Sequence, residues 1–116
     1  AALRDLTTGF AGLVVTTGGT GFGPRDLTPE GTVAVLDRAA PGLAEAMRTA
    51  SNAGGRTFGM LSRGVCGTVG EALVCNLPGS SGGAVECLEA VEERSHLHQE
   101  CIDLSAAKLS PLDRMT

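Results

Sequence analysis

The stretch Thr16-Thr17-Gly18-Gly19-Thr20-Gly21-Phe22-Gly23-Pro24-Arg25-Asp26 gathers the groups that could hold a polyphosphate. Glycine lets a ligand approach the backbone closely, and it lets successive N–H groups turn toward one anion. Thr16, Thr17, Thr20 and Thr28 supply hydroxyls, and Asp26 supplies a carboxylate beside them. Two generic phosphate motifs do not fit. A Walker A loop needs Gly-x-x-x-x-Gly-Lys-Ser/Thr, whereas Pro24 follows Gly18 and Gly23. A dinucleotide fingerprint would use Gly19 and Gly21 but meets Pro24 where its third glycine belongs. Loop chemistry alone therefore leaves a phosphate cradle and a plain glycine-rich turn open. Asp26 has two readings as well. It is a Mg²⁺ ligand beside polyphosphate, or a capping carboxylate before a helix.

A second group lies downstream. Ser62 and Arg63 sit in Met60-Leu61-Ser62-Arg63-Gly64-Val65-Cys66-Gly67, and Pro78-Gly79-Ser80 follows an apolar run. Arg63 can bind a phosphate bidentately or stand as an ordinary surface arginine. Pro78-Gly79 alone reads as a turn. His96 and His98 have i, i+2 spacing, which points them to different faces of a helix, so they read as solvated surface. Cys66, Cys75, Cys87 and Cys101 lack the close spacing of a zinc site and read as reduced, mostly buried thiols.

The elements that must position these groups follow from pattern. Residues 1–9 read as the end of a helix stopped by Gly9. Leu13 to Thr17 is apolar and β-branched, a strand buried on both faces. Thr28-Pro29-Glu30 offers an N-cap, a proline at the first helical position and an acid in the first turn. Val33, Leu36, Ala40, Leu43 and Met47 share a helical face that Pro41 interrupts, which predicts helices over roughly 29–38 and 41–51 or one helix with a sharp kink. Phe58 to Gly67 and Ala72 to Leu77 are short apolar segments, with Gly67 to Glu71 as a hairpin connection. The second segment runs into the Pro78–Gly83 turn, and a long helix is expected from about Gly83. The chain beyond Ser105 reads as a surface or disordered tail, giving a domain over 1–105 and a tail over 106–116. Repeated strand–loop–helix units predict an α/β fold, a mainly parallel sheet with helices on both faces and a small β-hairpin. Both glycine loops then lie at strand C-termini on one edge, where ligands bind in open α/β sheets.

Composition narrows the function. The 116 residues suit one small domain, and aromatics are only 3%, which argues against a base-stacking surface. A net charge of −4 without a basic cluster speaks against nucleic-acid backbone binding. No apolar run reaches membrane-spanning length, so no membrane insertion is expected.

Four segments in fixed order resemble one family. They are Thr17–Phe22 with Pro24–Glu30, Ala40-Pro41-Gly42-Leu43, Met60–Gly67, and Asn76–Ser80 with Glu86-Cys87 after it. The chain is similar, from about Leu13 to Val91, to the molybdopterin adenylyltransferase family, which includes the G domain of gephyrin. The resemblance implies the molybdenum-cofactor-biosynthesis fold, a cytoplasmic location, and transfer of AMP from Mg-ATP to molybdopterin. It implies that Thr17, Gly18, Gly19, Thr20 and Gly21 hold the nucleotide together with Pro78, Gly79 and Ser80. Ser62, Arg63 and Arg25 would face molybdopterin, and Asp26 would be the catalytic Mg²⁺ ligand. A homotrimer and a fused or partner molybdate-insertion domain are implied too. The alternatives are a non-catalytic molybdopterin-binding module and a gephyrin-like trimeric scaffold. The family carries a further strand–helix–strand segment, with a second functional aspartate, ahead of the region matched here. Without it, the strand Leu13–Thr17 is expected to lack a neighbour, and the chain to be marginally stable or held by association.

Overall fold

A computed structural model describes residues 2–52, 58–79, 82–87, 89 and 107–110. Helix α1 (Ala2–Thr7) buries Leu3, and Gly9, at φ 64°, follows its end. Strand β1 (Leu13–Thr17) comes next, then helix α2 (Thr28–Val33), the two-residue strand β2 (Arg38–Ala39) and helix α3 (Pro41–Ser51). A 3₁₀ turn (Phe58–Leu61) leads to β3 (Cys66–Val69) and β4 (Ala72–Leu77). Residues 82–87 are helical, here α4, and β5 (Ala107–Ser110) joins the sheet.

The sheet order is β2-β3-β4-β1-β5. β4 and β5 flank β1 in parallel, and β3 runs antiparallel to both β4 and β2. Four of the five strands therefore share one direction and β3 alone opposes them. Side chains alternate across the two faces, as strand geometry requires. Leu13, Val15, Leu73, Cys75 and Leu77 face α3 and α4 through Ala44, Met47 and Cys87. Val14, Ala72 and Val74 face α1 through Leu3, with Val35 and Leu36 beside them. Helices thus cover both faces, and the central strands are apolar on both sides. Cys66, Cys75 and Cys87 are buried free thiols, as expected.

Several expectations need correction. The helix placed at 29–38 ends at Val33, and Arg38-Ala39 pairs with Thr68 and Gly67 of β3 instead. The periodic positions mislead because Val33 is 58% exposed, while Leu36 packs on the opposite side of the sheet from Met47. The hairpin strand extends to Val69, and Gly70-Glu71 alone makes the turn, with Gly70 at φ 58°. Thr28 does not cap α2. Leu27 occupies that position without a side-chain cap. Within the expected tail, Ala107–Ser110 form strand β5 and are not disordered. That strand also overturns the expected vacancy beside β1, whose backbone is paired on both sides. The long helix beyond residue 90, Ser80, Cys101, His96 and His98 lie outside the described residues.

Candidate functional site

β1 and β4 are parallel neighbours with Thr17 opposite Leu77, so the loops that follow them start at the same level. The Gly18 N–H donates to the Leu77 carbonyl (3.0 Å). A Cβ built on Gly79 would come within 3.4 Å of Gly18 Cα, so the two loops touch. Both sit at strand C-termini, as the sequence suggested.

The first loop is fixed from below. Thr28 Oγ donates to the Gly18 carbonyl (2.9 Å), and Thr28 N–H donates to the Gly19 carbonyl (3.1 Å). Arg63 N–H donates to the Thr20 carbonyl (2.8 Å), and Arg63 Nε to the Gly21 carbonyl (2.7 Å). The loop's carbonyls are thereby drawn toward the protein. The N–H groups of Gly19, Thr20, Gly21 and Phe22 have no hydrogen-bond acceptor among the described residues. Gly18 and Gly19 reach this shape at φ 84° and 68°, the left-handed region that favours glycine. Carbonyls satisfied and successive amides free is the donor arrangement of an anion nest.

Asp26 closes the loop. Its Oδ2 accepts from the Gly23 N–H (2.8 Å), and its own N–H donates to the Gly23 carbonyl (3.0 Å). The carboxylate therefore caps a turn inside the loop, not the helix that follows, and Oδ1 has no hydrogen-bond partner among the described residues. Among the described residues no group of three or more His, Cys, Asp and Glu could hold a metal. Asp26 fits Mg²⁺ only as one protein ligand among phosphate oxygens and waters, which is how Mg²⁺ is commonly held.

Arg63 is more occupied than the sequence implied. Nη1 lies 2.6 Å from Glu30 Oε2, and Nη2 bonds both Glu30 Oε1 (3.2 Å) and the Asp26 carbonyl (2.5 Å). With Nε on Gly21, four of its five N–H donors are engaged. Its Cζ stands 5.5 Å from the centre of the Phe22 ring, within cation–π range. The hydrogen bond from Arg63 holds the Glu30 carboxyl below its ordinary value, and Glu30 in turn raises Arg63. Arg25 is exposed and makes no side-chain hydrogen bond or ion pair among the described residues. Ser62 Oγ accepts from the Gly64 N–H (3.2 Å) and lines a small cleft with Arg48, Pro78 and Met47. The structure thus gathers Thr17 to Gly21, Asp26, Arg63, Pro78 and Gly79 around the two loops, with Ser62 in the cleft below them.

Three supporting residues were not singled out from sequence. Asn76, buried in β4, donates through Nδ2 to Thr16 Oγ (2.9 Å) and Thr32 Oγ (3.0 Å), and Oδ1 accepts from Val65 N–H (3.1 Å). It ties β4, β1, α2 and the segment before β3 beneath the loops. Its signal was a lone amide in the apolar run Leu73-Val74-Cys75-Asn76-Leu77, which burial obliges to find partners. Arg48 donates to the Gly64 carbonyl (2.9 Å) and anchors the Ser62–Gly64 segment to α3. It lies one turn after buried Ala44, where a charge requires a partner. Glu30 carried no signal beyond its place in the first turn of α2.

Residues 1–96 match the family described as "Probable molybdopterin binding domain". The chain is 48% identical over 79 residues to the molybdopterin adenylyltransferase of Helicobacter pylori, covering 68% of this chain and 44% of that protein. It is 47% identical over 81 residues to the Escherichia coli enzyme of the same name, covering 70% and 41%. The chain thus spans less than half of either relative's length. Among solved structures, the molybdopterin biosynthesis Mog protein of Mycobacterium ulcerans superposes with a TM-score of 0.78 at 45% identity, covering 85% of this chain and 64% of that one.

Proposed function

The chain belongs to the family of probable molybdopterin binding domains, and from that membership we propose that it adenylylates molybdopterin with Mg-ATP in molybdenum cofactor biosynthesis. The observation that carries the proposal is the first loop, with its carbonyls bonded inward and the amides of Gly19 to Phe22 without acceptors among the described residues. Such a loop suits the phosphates of a nucleotide. Thr17 to Gly21 would hold the nucleotide from one side and Pro78 and Gly79 from the other, and Ser80 is assigned to the same role. Ser62 and Arg25 serve the pterin side, with Arg63 behind the loop. Asp26 would hold Mg²⁺, which would supply charge neutralisation on the phosphates.

AMP transfer needs an in-line approach of the molybdopterin phosphate to the α-phosphate and loss of pyrophosphate. Positioning and charge stabilisation accomplish most of such chemistry, and two adjacent loops with fixed amides provide both. The relatives' names support the activity. A homotrimer in the cytoplasm, with a fused or partner molybdate-insertion domain, belongs to the same reading. Among the described residues no helix is long and apolar enough to cross a membrane. Exposed Phe22, Met60 and Leu61 supply apolar surface for self-association, which sedimentation measures.

The test is pyrophosphate release from Mg-ATP and molybdopterin by parent and Asp26→Asn. An asparagine keeps an oxygen for the Gly23 N–H, so the loop holds its shape while the charge is lost. Turnover should fall about a hundredfold, the usual cost of losing one electrostatic contact to a transferring group. Equal turnover would remove Asp26 from the reaction, and no pyrophosphate release from the parent would remove the activity.

A further inference from the structure

We propose that Arg63 is a positioning residue for the nucleotide loop, clamped by Glu30, and not a ligand of molybdopterin. The proposal rests on the reading of that loop as the nucleotide site. Arg63 reaches three loop carbonyls: Thr20 through its backbone N–H, Gly21 through Nε and Asp26 through Nη2. Two of these carbonyls lie among the free amides of Gly19 to Phe22, and the third belongs to Asp26, whose carboxylate closes the loop. Glu30, on the first turn of α2, takes the remaining side of the guanidinium in a fork-to-fork pair. The plane of Arg63 is thus fixed by α2 and by both ends of the loop, and Phe22 covers it at 5.5 Å.

A ligand-binding arginine keeps its fork free for the ligand. Arg63 has one N–H left, on the nitrogen that already faces Glu30. Seizing a phosphate would require breaking bonds to Glu30 or to the loop. The clamp instead holds the carbonyls away from the ligand face, which keeps the amides of Gly19 to Phe22 turned outward. Lysine cannot replace it, because a single ammonium lacks the rigid fork that spans Gly21, Asp26 and Glu30 together.

The experiment uses Arg63→Lys and Glu30→Gln, both mild enough to keep the fold. Hydrogen exchange is followed without ligand at Gly23, Asp26 and Thr28, whose N–H groups are bonded within the loop. Calorimetry then measures Mg-ATP and molybdopterin binding. In Arg63→Lys, exchange at these amides should rise about tenfold while β1 and β4 stay protected, as local opening predicts. The dissociation constant for Mg-ATP should rise about tenfold, and that for molybdopterin by less than about twofold, since the loss is of loop shape and not of a ligand contact. Glu30→Gln should move both readouts the same way by less, because only the exposed half of the clamp is weakened. A merely structural role would weaken both ligands alike, and that result overturns the proposal. So does unchanged loop exchange in both variants, or a selective loss of molybdopterin. A parent that binds no Mg-ATP would overturn the nucleotide reading of the loop, while the exchange data would still decide whether Arg63 holds it.

Discussion

Gly19→Ala isolates the geometry of the loop in one methyl group. Gly19 sits at φ 68°, where an L side chain costs about 1–2 kcal/mol. Its new Cβ would overlap Thr28 Oγ and stand 3.2 Å from Thr28 Cβ. The hydroxyl must swing away and lose its bond to the Gly18 carbonyl, worth about 1 kcal/mol. The two terms give about 2–3 kcal/mol of destabilisation, or a drop of roughly 10 °C in Tm for a domain this size. Mg-ATP affinity should fall as well, because the Gly18 carbonyl is no longer held inward. Gly31→Ala is the contrasting change. Gly31 lies within α2 with nothing within 4 Å of a built Cβ, so alanine should stabilise by about 0.5–1 kcal/mol. Differential scanning calorimetry of the two variants beside the parent reads both signs. A Gly19→Ala protein as stable as the parent would show that Thr28 does not pin the loop, and the anion-nest geometry would fall with it.

Three further outcomes follow from the packing around the site. Asn76→Leu strands the Val65 N–H and removes the amide shared by Thr16 and Thr32, so urea unfolding should show a loss of about 2–3 kcal/mol. Arg63 depresses the Glu30 pKa below 4.5, so their contribution is present above about pH 4.5 and is lost as the pH falls through the lowered value. The Tm difference between parent and Glu30→Gln should accordingly be largest above that pH and vanish in stronger acid; a difference that grows in acid would contradict the pair. Its neighbour Cys66 and its burial push the pKa of the free Cys75 thiol up, so neutral-pH alkylation of the folded protein should spare it until urea exposes it.

Elements that depend on local pattern were legible. Leu13–Thr17, Ala72–Leu77 and the helix beginning at Pro41 appear where apolar runs and proline placed them. Features set by distant partners were not. Arg38-Ala39 is a strand because β3 lies beside it, and Ala107–Ser110 because β1 offers an edge, so neither sequence needs a strong strand pattern of its own. The same division runs through the site. The glycines, Asp26 and the Pro78-Gly79 turn were visible as residue types suited to phosphate. Thr28 was misread, and the hold on Arg63 was not foreseen, because no sequence pattern marks which backbone carbonyls or which distant carboxylate will meet a side chain. Thr28 looked like a helix cap and is a strut to Gly18. Arg63 read as a phosphate ligand or an ordinary surface arginine, and its side chain carries four hydrogen bonds within the protein.

The position of the site follows from one register. Thr17 stands opposite Leu77, so two parallel strands end at the same height and release their glycine loops side by side. In a parallel pair the chain cannot turn straight back, so each loop must lead away, one to α2 and the other to α4. That divergence opens a crevice at the carboxyl ends of the strands, where α/β sheets bind ligands. Asn76 lies one residue before the end of β4 and ties β1 and α2 to it, which holds that register under the loops. Asn76, Thr32, Thr28 and Gly18 therefore form a continuous chain of hydrogen bonds from the sheet to the first loop.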